Sequence, residues 1–211
     1  DISVSFNQVN VRQIANEGWK LAAGKVNYVS GNTYVTVPNA SSYGNTTTLK
    51  IASGGCFVKG SQVLLSNGST ISIEALTVGA NVVAYNESTG EFEDSELQLV
   101  HAYKHKNDIY DITLSSGDTL TLTGSHPVLT THGWKAANAD EVAAREHPDI
   151  AIEQLSVGDA AITTSGESEI ISIARRNDLD DETVYNIDVE PIDTYIVNSV
   201  VVHNANEAGK D

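Results

Sequence analysis

Ile73-Glu74-Ala75-Leu76-Thr77-Val78-Gly79 recurs, 79 residues on, as Ile152-Glu153-Gln154-Leu155-Ser156-Val157-Gly158. Three further echoes follow in the same order. Ile109-Tyr110-Asp111-Ile112 returns as Val184-Tyr185-Asn186-Ile187 and Asp118-Thr119 as Asp193-Thr194, both at an offset of 75 residues, and His126 returns as His203 at an offset of 77. Each match is short, but a preserved order of matches is the mark of an internal duplication. The expected arrangement is two similar units about a pseudo-twofold axis. That packing would draw the paired histidines toward one region.

The units themselves read as β structure. Val63-Leu64-Leu65, Val82-Val83-Ala84-Tyr85, Ile109 to Leu114, Thr119 to Thr123 and Val184 to Val189 are short runs rich in β-branched and aromatic residues. Ser66-Asn67-Gly68, Ser116-Gly117-Asp118 and Ser165-Gly166 punctuate them as turns. One stretch, Ala136 to about Arg145, reads as a helix ended by His147-Pro148. The fold class expected is therefore all-β. Residues 1–55 read separately, with a short amphipathic helix from Val9 to about Leu21 and a hairpin, Val26–Val29 and Thr33–Val37, turning at Ser30-Gly31-Asn32.

Charge divides the chain at the same place. Residues 1–55 carry +2, residues 56–204 carry 24 acidic against 7 basic residues, and the whole of 211 residues has a net charge of -16. Such an acidic surface argues against nucleic-acid binding, where basic residues supply most of the affinity. No run approaches the roughly 20 apolar residues of a membrane helix, and the first residues lack a secretory signal pattern. The absence of an initiating Met reads as a piece of a longer polypeptide. The Asn, Ser, Thr and Tyr of residues 1–55 suit a secreted, surface or phage structural host, although localisation itself is not legible. With one cysteine there is neither a disulfide framework nor a multi-cysteine metal motif, and no cofactor is expected.

That cysteine, Cys56, follows Ser53-Gly54-Gly55. A lone cysteine is by default a small buried apolar residue. Here the preceding glycine leaves the Gly55–Cys56 carbonyl open to attack by the thiol, which is a strong nucleophile once ionised. His126, closing Thr123-Gly124-Ser125-His126 before Pro127, is placed to bond the amide nitrogen and help the amine leave, with Thr123 holding the geometry. At the other end, Val202-His203-Asn204-Ala205 offers an asparagine whose side-chain nitrogen can close on its own carbonyl as a succinimide. His203 is the adjacent proton-transfer candidate. A turn histidine, and a strand ending in His-Asn, are also ordinary structural features.

Taken together and in order, Cys56-Phe57-Val58-Lys59-Gly60-Ser61, Thr123-Gly124-Ser125-His126-Pro127 and Val202-His203-Asn204 resemble the first, middle and last motifs of the Hint superfamily. That superfamily comprises inteins, bacterial intein-like domains and hedgehog autoprocessing domains. The resemblance spans the 149 residues from 56 to 204, too few to hold a homing endonuclease, and the terminal His-Asn favours an intein or type A bacterial intein-like domain. It implies an all-β, horseshoe-like fold with pseudo-twofold symmetry, residues 1–55 being a small β-rich N-terminal flank and 205–211 a C-terminal tail. It implies autocatalytic self-processing by a monomer acting in cis at the Gly55 and Ala205 junctions. Cys56 would make the N-to-S acyl shift, Thr123 and His126 would activate that bond, and His203 with Asn204 would carry out cyclisation.

Three departures qualify the expectation. Ala205 and the tail after it contain no Ser, Thr or Cys, so the usual branched intermediate is blocked and cleavage is expected over splicing. Asp193 stands where many members carry a histidine, and is expected to act as a base or to orient His203. Asn186 stands where some carry an aspartate. Two competing readings are a conventional Cys56–His126 peptidase acting on other proteins, and a non-catalytic β module of a surface or phage protein with a degenerate Hint portion.

Overall fold

A computed structural model describes residues 25–29, 32–36, 48–52, 55–105, 108–142, 150–179 and 182–204. It divides the chain into two compact units, 1–53 and 54–211. In the first, β1 (Lys25–Val29), β2 (Asn32–Thr36) and β3 (Thr48–Ala52) form an antiparallel sheet, with Val29 opposite Asn32. The expected hairpin is present. The helix expected over Val9–Leu21 lies outside the described residues.

The second unit is β throughout, with no α-helix among the described residues. Its first half holds β4 (Phe57–Val58), β5 (Gln62–Leu64), β6 (Thr70–Ser72), β7 (Asn81–Asn86), β8 (Glu91–His105), β9 (Ile109–Leu114) and β10 (Thr119–Thr123). The second half holds β11 (Val128–Thr130), β12 (Gly133–Ala136), β13 (Ile152–Gln154), β14 (Ala160–Thr163), β15 (Gly166–Arg176), β16 (Glu182–Glu190), β17 (Thr194–Val197) and β18 (Val200–His203). The two long strands change halves. β8, at the end of the β7–β8 hairpin, pairs with β16, while β15, at the end of the β14–β15 hairpin, pairs with β9.

The duplication extends to individual hydrogen bonds. Gly79 N–H donates to the Leu97 carbonyl at 2.8 Å and Leu97 N–H returns to Ala80 at 2.8 Å. Gly158 and Ile170 repeat this, at 2.9 Å to Ile170 and 2.8 Å back to Asp159. Both glycines have left-handed backbones, φ 87° and 95°, which a side chain would strain. The Leu97, Ile170, Ile112 and Ile187 side chains all enter one buried core. Burying such aliphatic side chains is worth about 1.5–3 kcal/mol each.

Over its described residues, 136–142, the helix expected from Ala136 to Arg145 is not formed. Gly133–Ala136 is a strand whose Trp134 and Ala136 point inward while Gly133 is exposed, the period of two that β structure imposes. β12 pairs in parallel with β13, and the Ala136 carbonyl accepts Leu155 N–H at 2.8 Å. Burial and ladder bonds override the helical preference of the alanines there. Only the 3₁₀ turn Ala139–Glu141 remains, and residues 143–149 lie outside the description.

Two connections set up the site. β4 is a two-residue strand between β10 and β16, with Phe57 opposite both Leu122 and Tyr185, which fixes the chain entering at Gly55. β17 and β18 are joined by Asn198-Ser199, with φ 44° and 72°, the double left-handed geometry of a tight hairpin. Asn198 pins that turn by accepting Gln62 N–H at 2.9 Å and donating to the Thr119 carbonyl at 2.7 Å.

Candidate functional site

The Gly55–Cys56 peptide is gripped from both sides. Cys56 N–H donates to Thr123 Oγ1 at 2.8 Å, and Thr123 N–H donates back to the Cys56 carbonyl at 2.8 Å. On the other side Asn186 Nδ2 donates to the Gly55 carbonyl at 2.6 Å. The amide of Asn186 has only one sensible orientation. Its Oδ1 accepts Ile187 N–H at 2.8 Å and the Tyr195 hydroxyl at 2.7 Å, so Nδ2 must face Gly55. Burial, and then the Cys56 sulfur close by, raise the Tyr195 phenol well above its ordinary value, which keeps it a donor.

His126 packs directly on Gly55. A Cβ at Gly55 would lie 2.7 Å from His126 Cβ and 2.8 Å from its backbone nitrogen, so only glycine fits. The turn that carries His126 is closed by its own N–H to the Thr123 carbonyl at 3.0 Å. Its ring lies 4.3 Å from Phe57, centroid to centroid, edge to face. Both ring nitrogens are buried with no hydrogen-bonding partner among the described residues, although the Gly55 and His203 backbones are near. Burial pushes its pKa down to about 3, so it is a neutral imidazole at neutral pH.

His203 and Asn204 sit next to this group. His203 N–H donates to the Pro127 carbonyl at 3.3 Å, and Val202 pairs with Val128, which brings the end of β18 beside the His126 turn. The His203 ring packs on Trp134 at 5.0 Å, and burial lowers its pKa. Its Nδ1 lies 3.2 Å from the Asn204 carbonyl oxygen, a donor to it when protonated there. Asn204 is 1 % exposed. Its Nδ2 donates to Asp188 Oδ1 at 3.1 Å, Asp193 Oδ1 at 3.1 Å and the Val189 carbonyl at 3.2 Å. Asn204 N–H also bonds the Asp193 carbonyl at 3.0 Å.

All six residues expected from the sequence therefore lie in one connected group, in which Cys56, Thr123, His126, His203 and Asn204 are buried and Asp193 stands at its exposed edge. Three others belong to it that sequence reasoning did not assign: Asn186, Asp188 and Tyr195. Asn186 falls within a duplicated segment, and Asp188 and Tyr195 directly follow one, which, with the aspartate that some family members carry at 186, was the available signal. Among the described residues no group of His, Cys, Asp and Glu is arranged to hold a metal ion.

The sequence from 63 to 204 matches the family described as the intein splicing domain. The chain belongs to that family. Solved inteins share the fold. The DnaB intein of Synechocystis sp. PCC 6803 is 23% identical, covering 72% of this chain and 99% of that one, with a TM-score of 0.58. The bacterial intein-like domain of Clostridium thermocellum is 24% identical over 71% of this chain and 98% of that one, TM-score 0.59. The gp41-1 intein is 23% identical over 72% and 100%, TM-score 0.55. Comparison with curated proteins gives no match. As a member of that family, the chain carries an autocatalytic self-processing domain that acts in cis on its flanking sequences. The family match begins after Cys56, so the case for that residue rests on its geometry.

Proposed function

We propose that the segment from Cys56 to Asn204 cuts the chain at both its ends, at Gly55–Cys56 and at Asn204–Ala205. The observation that carries this reading is the grip on the Gly55–Cys56 peptide, with Asn186 Nδ2 on its carbonyl and Thr123 Oγ1 on its N–H. In the N-terminal step the Cys56 sulfur adds to the Gly55 carbonyl carbon. His126 takes the thiol proton and passes it to the departing Cys56 nitrogen. An imidazole whose basicity burial has lowered releases that proton readily. Negative charge growing on the Gly55 oxygen is met by the Asn186 amide already aimed at it. The product is a thioester, and water or an added thiol then releases residues 1–55.

At the other end Asn204 Nδ2 attacks its own carbonyl carbon, the bond to Ala205 breaks, and a succinimide forms. His203 Nδ1, protonated, polarises the carbonyl oxygen, and Asp193 supports the attacking amide. The tail has no Ser, Thr or Cys to capture the thioester as an ester branch. The expected products are therefore separate fragments. Ligation is left to direct attack by the Ala205 amine. We read the domain as a monomer needing no cofactor, and its charge disfavours nucleic acid.

Weighing the fragments formed by the purified precursor, with and without dithiothreitol, tests the reading. Thiol should speed release of 1–55, and release of 205–211 should leave a C-terminal succinimide. Cys56→Ala should stop the first cut and Asn204→Ala the second. A wild-type chain still intact after days refutes the proposal.

A further inference from the structure

The attacking nitrogen of Asn204 has two carboxylates on it, and only one of them, Asp193, was expected. We propose that Asp188 is a catalytic residue of the C-terminal cut, the base that removes a proton from Asn204 Nδ2. An amide nitrogen is a poor nucleophile because its lone pair is delocalised, so a group that takes its proton as the new bond forms lowers the barrier.

Three observations carry the assignment. Asp188 Oδ1 is 3.1 Å from Nδ2, a reacting atom, at a distance equal to that of Asp193. Asp188 is 3 % exposed, so its carboxylate works away from bulk water, where a charge-assisted bond is strongest. The register of β16 against β8 slips between Asp188 and Val189. A bulge of this kind re-aims a side chain and is common next to active sites. Here it also turns the Val189 carbonyl onto the same nitrogen, at 3.2 Å. The bulged segment thus supplies two of the three acceptors that orient the nucleophile. Asp193, whose backbone carbonyl holds Asn204 N–H and whose charge faces His203, is left to position the residue and its neighbour.

The step balances. Nδ2 forms a bond to the Asn204 carbonyl carbon while one of its hydrogens passes to Asp188 as a proton. The carbon–nitrogen bond to Ala205 breaks, and the departing amine takes a proton from solvent. Asp188 then returns its own.

This inference rests on the proposed cyclisation of Asn204, and the test separates the two. Release of 205–211 is followed by mass in the full chain and in Asp188→Asn, alongside thiol-induced release of 1–55 as the control for folding. Asp188→Asn should slow C-terminal release by about 10²–10⁴-fold, the usual worth of a positioned base, and leave N-terminal release within a few-fold. C-terminal release within threefold of wild type in Asp188→Asn overturns the assignment and leaves cyclisation standing. No succinimide from the wild-type chain sinks the underlying reading instead. Should Asp188→Asn lose both cuts, Asp188→Glu decides. Recovery of both supports a base at this position, and recovery of N-terminal release alone overturns it.

Discussion

Asn186 shows how much one amide can decide. Its Nδ2 meets the Gly55 carbonyl at 2.6 Å while Ile187 N–H and the Tyr195 hydroxyl lock its oxygen. Replacing it by Ala should slow thioester formation about 10²–10³-fold, the cost of losing one donor aimed at a developing oxyanion, measured as thiol-induced release of 1–55. Equal rates for wild type and Asn186→Ala would show that the bond only holds the ground state. From the sequence Asn186 was visible as a departure from an aspartate, but its use was not. Which way an amide points depends on the partners of its oxygen, and one of these, Tyr195, comes from a different strand.

Strands β8 and β15 belong to opposite halves yet bury their equivalent residues in one core. Leu97 and Ile170 are each 0 % exposed and each closes the same glycine turn through its backbone. Leu97→Ala and Ile170→Ala should each cost about 2–5 kcal/mol, read from urea denaturation of a Cys56→Ala, Asn204→Ala chain that stays intact. The exposed turn valines at the same repeat positions, Val78 and Val157 at 53 % and 61 % exposed, are the comparison. Changing either to Ser should alter stability by no more than about 0.5 kcal/mol. A large loss at the turns and none in the core would contradict the packing described. At this scale the sequence was legible where short runs are rich in β-branched and aromatic residues, as in β9, β10 and β16. It misled at Ala136, because a ladder contact to a strand 16 residues later is not a local property.

In the whole molecule, buried neutral histidines tie stability to pH. Burial holds His126 at about 3 and His101 at about 4, against 6.5 for the free side chain, and lowers His203 as well. The unfolded chain therefore binds more protons than the folded one at acid pH, so stability rises with pH across this window. The stabilisation is complete above about pH 6.5 and is lost as pH falls toward the folded values. Denaturation midpoints of the uncleavable chain should drop steadily between about pH 6.5 and 4.5, before most carboxylates titrate. His101→Gln should flatten the slope, and a midpoint constant over that range would argue against burial of these rings in the neutral form. By itself the sequence determined the all-β class and the duplication, and it named the two junctions and the six residues proposed to serve them, because composition and order are written along one dimension. Only the tertiary structure brought Asn186 and Tyr195 to the Gly55 carbonyl and Asp188 to the Asn204 amide. Hydrogen bonds between strands far apart in sequence depend on register and on a single-residue slip, and neither leaves a mark in the order of the residues.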